Sequence, residues 1–431
     1  MPEEINNSPF PKDFMWGAST AAHQVEGNNH NQWTVWELVN AKKLAAEAPH
    51  KAPNSGTYLR YDQLPIWESI EDKATDPNNY ISGKGIDHYN RFREDFDIAK
   101  KLNFNSFRFT IEWSRIEPKE GQWDQEAIDH YKEYIQELHK RGLEPILNIF
   151  HWTLPVWFSD IGGFEKRKNI KYFERFVHKV SLELLAHVRY VITLNEPNVY
   201  ATFSYLIGEF PPAKANPLLF GKVYRNLVKA HKSAYYLLKH QKPSLQVGIA
   251  AQLGNIQAKR AHSFADEVIT HFMRYFWNWW FLNRIHREQD FIGFNYYFTD
   301  YYRFGLGIYR DDPKLPVNDL GWYMEPEGIY PLLMRLWAHH KKPIIITENG
   351  VADAHDQYRR WWIEETIVAM ERAMSEGVVI KGYFHWSLLD NFEWAQGWWP
   401  KFGLVSVNRS NMKRTIRPSA KWFASQIKKL S

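Results

Sequence analysis

Residues 343–350 read Pro-Ile-Ile-Ile-Thr-Glu-Asn-Gly, a short apolar run of β-like composition that ends in a carboxylate and then a turn signal. The same grammar occurs at Tyr190–Glu196, where VITLNE is followed by Pro197. It returns, with other polar residues at the end, at Phe14–Ala18, Ser106–Ile111, Pro145–His151, Gln246–Ala251, Phe291–Tyr297 and Ile380–Trp386. Longer helical patterns lie between the runs. The clearest starts after Asp124, a natural N-cap, carries apolar residues at Ile128, Tyr131, Ile135 and Leu138, and stops at Gly142. Others are expected at 89–102, 165–187, 217–240, 356–376 and 416–429.

Eight β-like runs, each followed by helix, predict a single (β/α)8 barrel of α/β class that occupies residues 1–431 as one domain. An open doubly wound sheet is the alternative. It lacks support, because no run leads into a glycine-rich phosphate loop. Polar residues gather where the runs end: Arg108, His151, Asn195, Glu196, Asn295, Tyr297, Glu348 and Trp386. In barrels that face carries the active site.

Composition narrows the chemistry. The 431 residues are 44% hydrophobic and 24% charged, which is ordinary globular usage and ample for a large core. The net charge of +5 is mild and no long basic run occurs, so nucleic acid is not the expected partner. Cysteine is absent, which removes disulfides, thiolate nucleophiles and Cys-based metal sites. The 18 histidines form no HExxH pair and no EF-hand loop is present, so neither metal nor cofactor is expected. The polar N-terminal stretch has no signal-peptide core and no run reaches membrane-span length, so a cytoplasmic address without a membrane partner is expected. Asn6-Asn7-Ser8 and Asn408-Arg409-Ser410 match the glycosylation sequon and mean little without a secretory signal. Aromatic residues reach 16%, which serves either a large core or a ring-walled pocket of the kind that packs on sugars.

Glu196 and Glu348 are the residues to weigh. Taken alone, Glu-Asn-Gly is a turn and Glu before Pro is an ordinary strand end. Taken together, at the ends of the fourth and seventh runs, they would face each other across a barrel axis. A facing carboxyl pair is what glycoside cleavage requires.

The chain resembles glycoside hydrolase family 1, the β-glucosidase and β-galactosidase family. FMWGASTAAHQVEG (Phe14–Gly27), HWTLPVWF, TLNEPN, GFNYY, ITENG and GYFHWSLLDNFEW match that family's motifs in order, over about residues 10–425. The resemblance implies Glu196 as general acid/base and Glu348 as nucleophile, with Arg108, Asn295 and Tyr297 holding the nucleophile. It implies Gln24, His151, Asn195, Trp386, Glu393 and Trp394 as the sugar-binding shell of a closed first subsite. The implied activity is exo-acting and retaining, on β-glucosides and with β-galactosides or β-fucosides as side substrates. The partner is then a small glycoside or oligosaccharide, and the carboxyls should stand about 5–5.5 Å apart. Glu393 disfavours a phosphorylated sugar. The rivals are a barrel that binds sugar without catalysis and a metal-dependent hydrolase; transglycosylation competes from the same intermediate.

Three stretches depart from the family pattern. Thr153 replaces an Asp common after His-Trp. The segment Leu38–Gly85, with Tyr58, Tyr61 and Trp67, reads as a long loop beside the entrance. The segment 252–290 reads as shortened and carries Tyr275-Phe276-Trp277-Asn278-Trp279-Trp280-Phe281. That run is either a helix packed on the barrel, or an opened aglycone side or exposed patch, which exposure of Trp279 and Trp280 would decide.

Overall fold

The computed structural model describes residues 9–51, 60–305, 307–309 and 316–430. The sequon at Asn6 and the side chain of Tyr58 lie outside them. Eight parallel strands close into a barrel: Met15–Ser19, Ser106–Thr110, Glu144–Phe150, Tyr190–Asn195, Gln246–Gln252, Ile292–Tyr296, Ile344–Asn349 and Ile380–Trp386. Each pairs with its neighbours in sequence, and the eighth closes on the first, with Met15 opposite Gly382 and Ser19 opposite Trp386. All eight expected runs are strands. The reason is burial on both faces, by helices outside and side chains inside, which makes parallel strands read as nearly continuous apolar runs.

The expected helices form as well, at His88–Lys101, Gln125–Lys140, Ile170–Glu183, Pro217–Gln241, Arg359–Ser375 and Pro418–Leu430. Asp124 caps the second of these by accepting the Ala127 N–H at 3.0 Å. The segment Leu38–Gly85 is not a plain loop. A helix runs through Gln32–Glu47, capped by Asn31, and another spans Trp67–Ala74. A small satellite sheet, Asn255–Ala258, Thr299–Arg303 and Gly307–Tyr309, stands past the ends of the fifth and sixth barrel strands.

A cluster of Met15, Ile146, Ile192, Ala250, Ile345 and Phe384, one side chain from each of six strands, packs together apart from the larger core. Toward the C-terminal strand ends buried residues turn polar, with Ser19, Arg108, Asn148, Asn195 and Glu348 all out of solvent. The fold therefore plugs the barrel with hydrocarbon and opens its far end to chemistry.

Gly350 shows how tightly that end is built. A Cβ there would meet the Trp386 carbonyl oxygen at 1.9 Å, so the glycine of ITENG serves the approach of two strand exits as well as a turn. Gly221, inside the helix Pro217–Gln241, has open space around its missing Cβ. Gly350→Ala is expected to destabilise the protein by about 1–3 kcal/mol or more, whereas Gly221→Ala should stabilise it by roughly 0.5–1 kcal/mol. Urea denaturation of the two variants checks both signs.

Candidate active site

Arg108 sits in the second strand with no solvent exposure. Its guanidinium donates to Oε1 of Glu348 on the seventh strand, and through Nη2 to Oδ1 of Asn195 on the fourth at 2.6 Å. The Tyr297 hydroxyl donates to the other oxygen of Glu348 at 2.6 Å. Glu348 thus receives one donor on each oxygen, one of them cationic. Burial, then the charge of Glu348, holds the Tyr297 phenol well above its ordinary value, so it stays a donor.

Glu196 stands one residue past the fourth strand in the left-handed region, with φ 44°. That conformation is unfavourable for a glutamate. It is held by its N–H donating to the Ala250 carbonyl at 2.6 Å and by Pro197, which opens the short helix Pro197–Ala201. Trp152 and Trp394, also on the cavity lining, share positive φ values of 73° and 48°. Such strain concentrates at sites that the surrounding structure holds in place.

Asn295 departs from expectation. Its amide donates to Glu196 Oε1 at 2.7 Å, and its carbonyl accepts from the Thr347 hydroxyl at 2.6 Å. The Thr347 contact fixes the amide so that its NH2 faces Glu196, and Asn295 supports the carboxyl of Glu196 rather than that of Glu348. Burial first, and then the charge of Glu348, raises the Glu196 carboxyl well above its usual range; the Asn295 bond opposes this only in part.

The exit of the eighth strand supplies Trp386 and Trp394, both buried, and Glu393, which is partly buried. Burial, then repulsion from Glu348, pushes Glu393 up to about 8, against hydrogen bonds from Gln24 and Trp386. Gln24 donates to the Phe392 carbonyl at 2.8 Å and to Asn391 at 3.1 Å, while its own Oε1 is buried without a partner among the described residues. His151 Nε2 accepts from the Asn195 amide at 2.9 Å, and burial followed by the nearby charge of Arg108 keeps this imidazole neutral. Glu196, Glu348, Glu393, His151, Trp386 and Trp394 together line a cavity of about 330 Å³. Arg108, Asn195, Asn295 and Gln24 are not on its wall and hold the residues that are. No group of three or more His, Asp or Glu among the described residues is arranged to hold a metal ion.

The glycosyl hydrolase family 1 model matches residues 6–289 and 282–430. The chain belongs to that family. β-Glucosidase A of Thermotoga maritima is 30% identical over 98% of this chain and 99% of its own length. Among solved structures, a β-glycosidase from Pyrococcus horikoshii superposes with a TM-score of 0.84 at 31% identity, covering 98% of this chain and 95% of that one. A Thermotoga maritima β-glucosidase in complex with glucoimidazole superposes at 0.85 and 29%, covering 98% and 99%.

Within the family frame, this chain's departures have structural outcomes. The Thr153 hydroxyl donates to Glu112 at 3.0 Å, in a buried pair. Tyr61, from the segment read as a loop, reaches the cavity and donates to Gln396 at 2.6 Å, whereas Trp67 packs in a core. Trp279 is buried, and Trp280 stacks on Tyr224 at 4.4 Å beneath Arg284, so these two rings form no exposed patch. Their neighbour Trp277 lines the cavity. Sequence reasoning missed Thr347 and Gln396, although the first lies inside a quoted motif and the second two residues past one.

The raised Glu393 has a thermodynamic consequence. The folded protein holds this proton to about pH 8, whereas an unperturbed carboxyl releases it near 4.5. Between these values the folded state binds more protons, so this group costs stability increasingly as pH rises. Glu393→Gln removes the cost. Its thermal midpoint should exceed that of the parent at about pH 8.5, with the gap closing toward about pH 4.5, as read by circular dichroism melts across that range.

Proposed function

We propose that the protein is a retaining, exo-acting β-glycosidase that removes a terminal sugar from β-glucosides, with β-galactosides or β-fucosides as further substrates. The observation that carries the reading is the pairing of unlike carboxyls in one cavity. Glu348 is bound on both oxygens by Arg108 and Tyr297, and Glu196 is held protonated by burial and by the charge of Glu348.

In this reading Glu348 attacks the anomeric carbon. The bond from that carbon to the glycosidic oxygen breaks, and Glu196 gives its proton to the departing oxygen. The sugar is now an ester of Glu348, whose negative charge is gone. The repulsion that raised Glu196 is thereby relieved, and its carboxylate takes a proton from water. The water oxygen attacks the same carbon and Glu348 leaves. Two inversions give net retention.

The sugar shell follows from hydrogen-bond capacity. On the cavity wall the carboxyl of Glu393, to which the Gln24 amide donates at 3.4 Å, offers acceptors to neighbouring hydroxyls. Trp386 and Trp394 offer faces for ring C–H groups. The family relation and the glucoimidazole bound to the Thermotoga maritima structure support this placement of a sugar.

Glu348→Ala is expected to lose turnover of a chromogenic β-glucoside to the detection limit, and added azide should restore part of it with inverted product. Glu196→Ala should slow substrates with poor leaving groups by about 10²–10⁴-fold and activated aryl glucosides far less. Equal loss on both classes removes the acid role. Because the protonated form of Glu196 is the active one, kcat/KM should fall as pH rises through its raised value. That alkaline limb should vanish for Glu196→Gln on an activated aryl glucoside.

A further inference from the structure

Two neighbouring helices on the flank of the barrel carry opposite kinds of exposed residue. In the helix Phe264–Arg274 the positions Phe264, Val268 and Phe272 recur one turn apart, so they share one face. All three are exposed, Phe264 by 84%. Phe304 adds to that face: it is exposed, and its backbone N–H donates to Asp266 of the helix at 3.0 Å. The acids of this helix offer little opposition. Asp266 is buried and bound by Arg260 at 2.7 Å, which leaves Glu267 as the exposed one. Scattered apolar residues on a surface need no explanation, but a row of them does.

The helix Pro217–Gln241 packs beside it, since Phe220 meets Phe276 at 5.9 Å and Phe276 stacks on Phe272. This helix of 25 residues contains no Asp or Glu. Leu218, Lys222, Arg225 and Lys229 follow helical spacing and are exposed, Leu218 by 88%. None of the three cations forms an ion pair among the described residues, whereas Lys232 and Lys239, further along, reach Glu288 and Asp290. More positive charge adjoins the row. The Asn226 side chain donates to the Phe164 carbonyl at 2.8 Å, and Lys166, Arg167 and Lys168 follow close behind Phe164 with exposed side chains. Glu165, between them, is taken by Lys214 at 3.0 Å. The flank therefore sets a row of hydrocarbon beside a larger set of cations that lack acidic partners.

We propose that this flank docks on an anionic lipid surface. The lysines and Arg225 lie at the level of the phosphates and supply the attraction, while Phe264, Val268, Phe272 and Leu218 enter the boundary between headgroups and acyl chains. Charge complementarity fits that partner, and the apolar side chains separate it from nucleic acid, the other polyanion that a basic face attracts. Bases stack on planar groups, which Leu218 and Val268 cannot offer, and a nucleic acid brings no hydrocarbon to cover them. No helix among the described residues is long and apolar enough to cross a membrane, and the contact proposed is peripheral. It departs from the expectation, drawn from sequence, of no membrane partner. It is also separate from the glycosidase reading, since none of these residues lines the cavity.

The test is co-sedimentation of the whole protein with vesicles of phosphatidylcholine, alone or mixed with phosphatidylglycerol. The mixed vesicles should bind it about tenfold more strongly or better, and added salt should weaken that binding. Each cation near such a surface contributes about fivefold, so Lys222→Gln, Arg225→Gln and Lys229→Gln together should lower binding by about 100-fold. Phe264→Ser with Phe272→Ser should lower it by about tenfold or more. A control removes the same charge elsewhere, through Lys421→Gln, Lys428→Gln and Lys429→Gln on the helix Pro418–Leu430, and should bind as the parent does. Melting curves verify that all three variants are folded. No preference of the parent for the mixed vesicles overturns the proposal. So does an equal loss in the control, because net charge alone then acts, and so does a serine variant that binds as the parent does. A short DNA duplex that the first triple variant no longer binds, beside vesicle binding that it keeps, assigns the row to nucleic acid and overturns the proposal as well.

Discussion

A guanidinium with no route to water is the constraint on which the active end of this barrel is built. Arg108 cannot shed its proton, so its burial demands a counter-charge and acceptors at hydrogen-bond distance. Glu348 supplies the charge and Asn195 the second acceptor. These three residues come from the second, seventh and fourth strands and lie up to 240 positions apart in sequence. Only barrel closure brings them together; losing Glu348 would leave a buried charge uncompensated, and losing Asn195 would leave a buried donor unpaired. The ion pair therefore reports that the strands are in register, and it fixes where one carboxylate must be.

That single cation also explains why three glutamates that line one cavity do not behave alike. Glu348 takes the guanidinium. Glu196 and Glu393 have no such partner, and both are pushed upward by burial and by the charge of Glu348. One positive charge stabilises one carboxylate, and its neighbours then keep their protons. The arrangement needs no special chemistry in any side chain, only unequal access to Arg108. It carries a cost, since unfavourably placed acids and left-handed residues such as Glu196 and Trp394 are tolerated only because the surrounding packing holds them.

The parts of this design that local pattern can encode were legible in the sequence. Strands shielded on both faces leave apolar runs, and the functional residues fall where those runs end. The role of Asn295 was not legible, because its direction is set by the Thr347 hydroxyl on the next strand. The helix Gln32–Glu47 escaped because its cap pairs Asn31 with Thr34 instead of a Ser or Thr with a Glu. The satellite sheet escaped because strands of three to five residues with polar members, such as Asn255–Ala258, carry no period. In the run 275–281 the aromatic residues divide between faces across a π-helical turn, so Trp279 packs inward while Trp277 faces the cavity. No helical wheel drawn at regular spacing separates those two.

The apolar side chains of the cavity wall and the acid are also not independent. Burial is the largest influence on Glu196, and Val199 and Phe203, three and seven residues further along the chain, help to make that burial. An aglycone seated against the same wall would displace the remaining water and hold the proton on Glu196 more firmly until the glycosidic oxygen takes it. When the aglycone departs, water returns to the side from which the second step needs it, and the esterified Glu348 no longer repels. Both changes move Glu196 toward the carboxylate at the moment a base is required. That apolar wall thus bears on the timing of proton transfer as well as on which leaving group is admitted, and a change in one should register in the other.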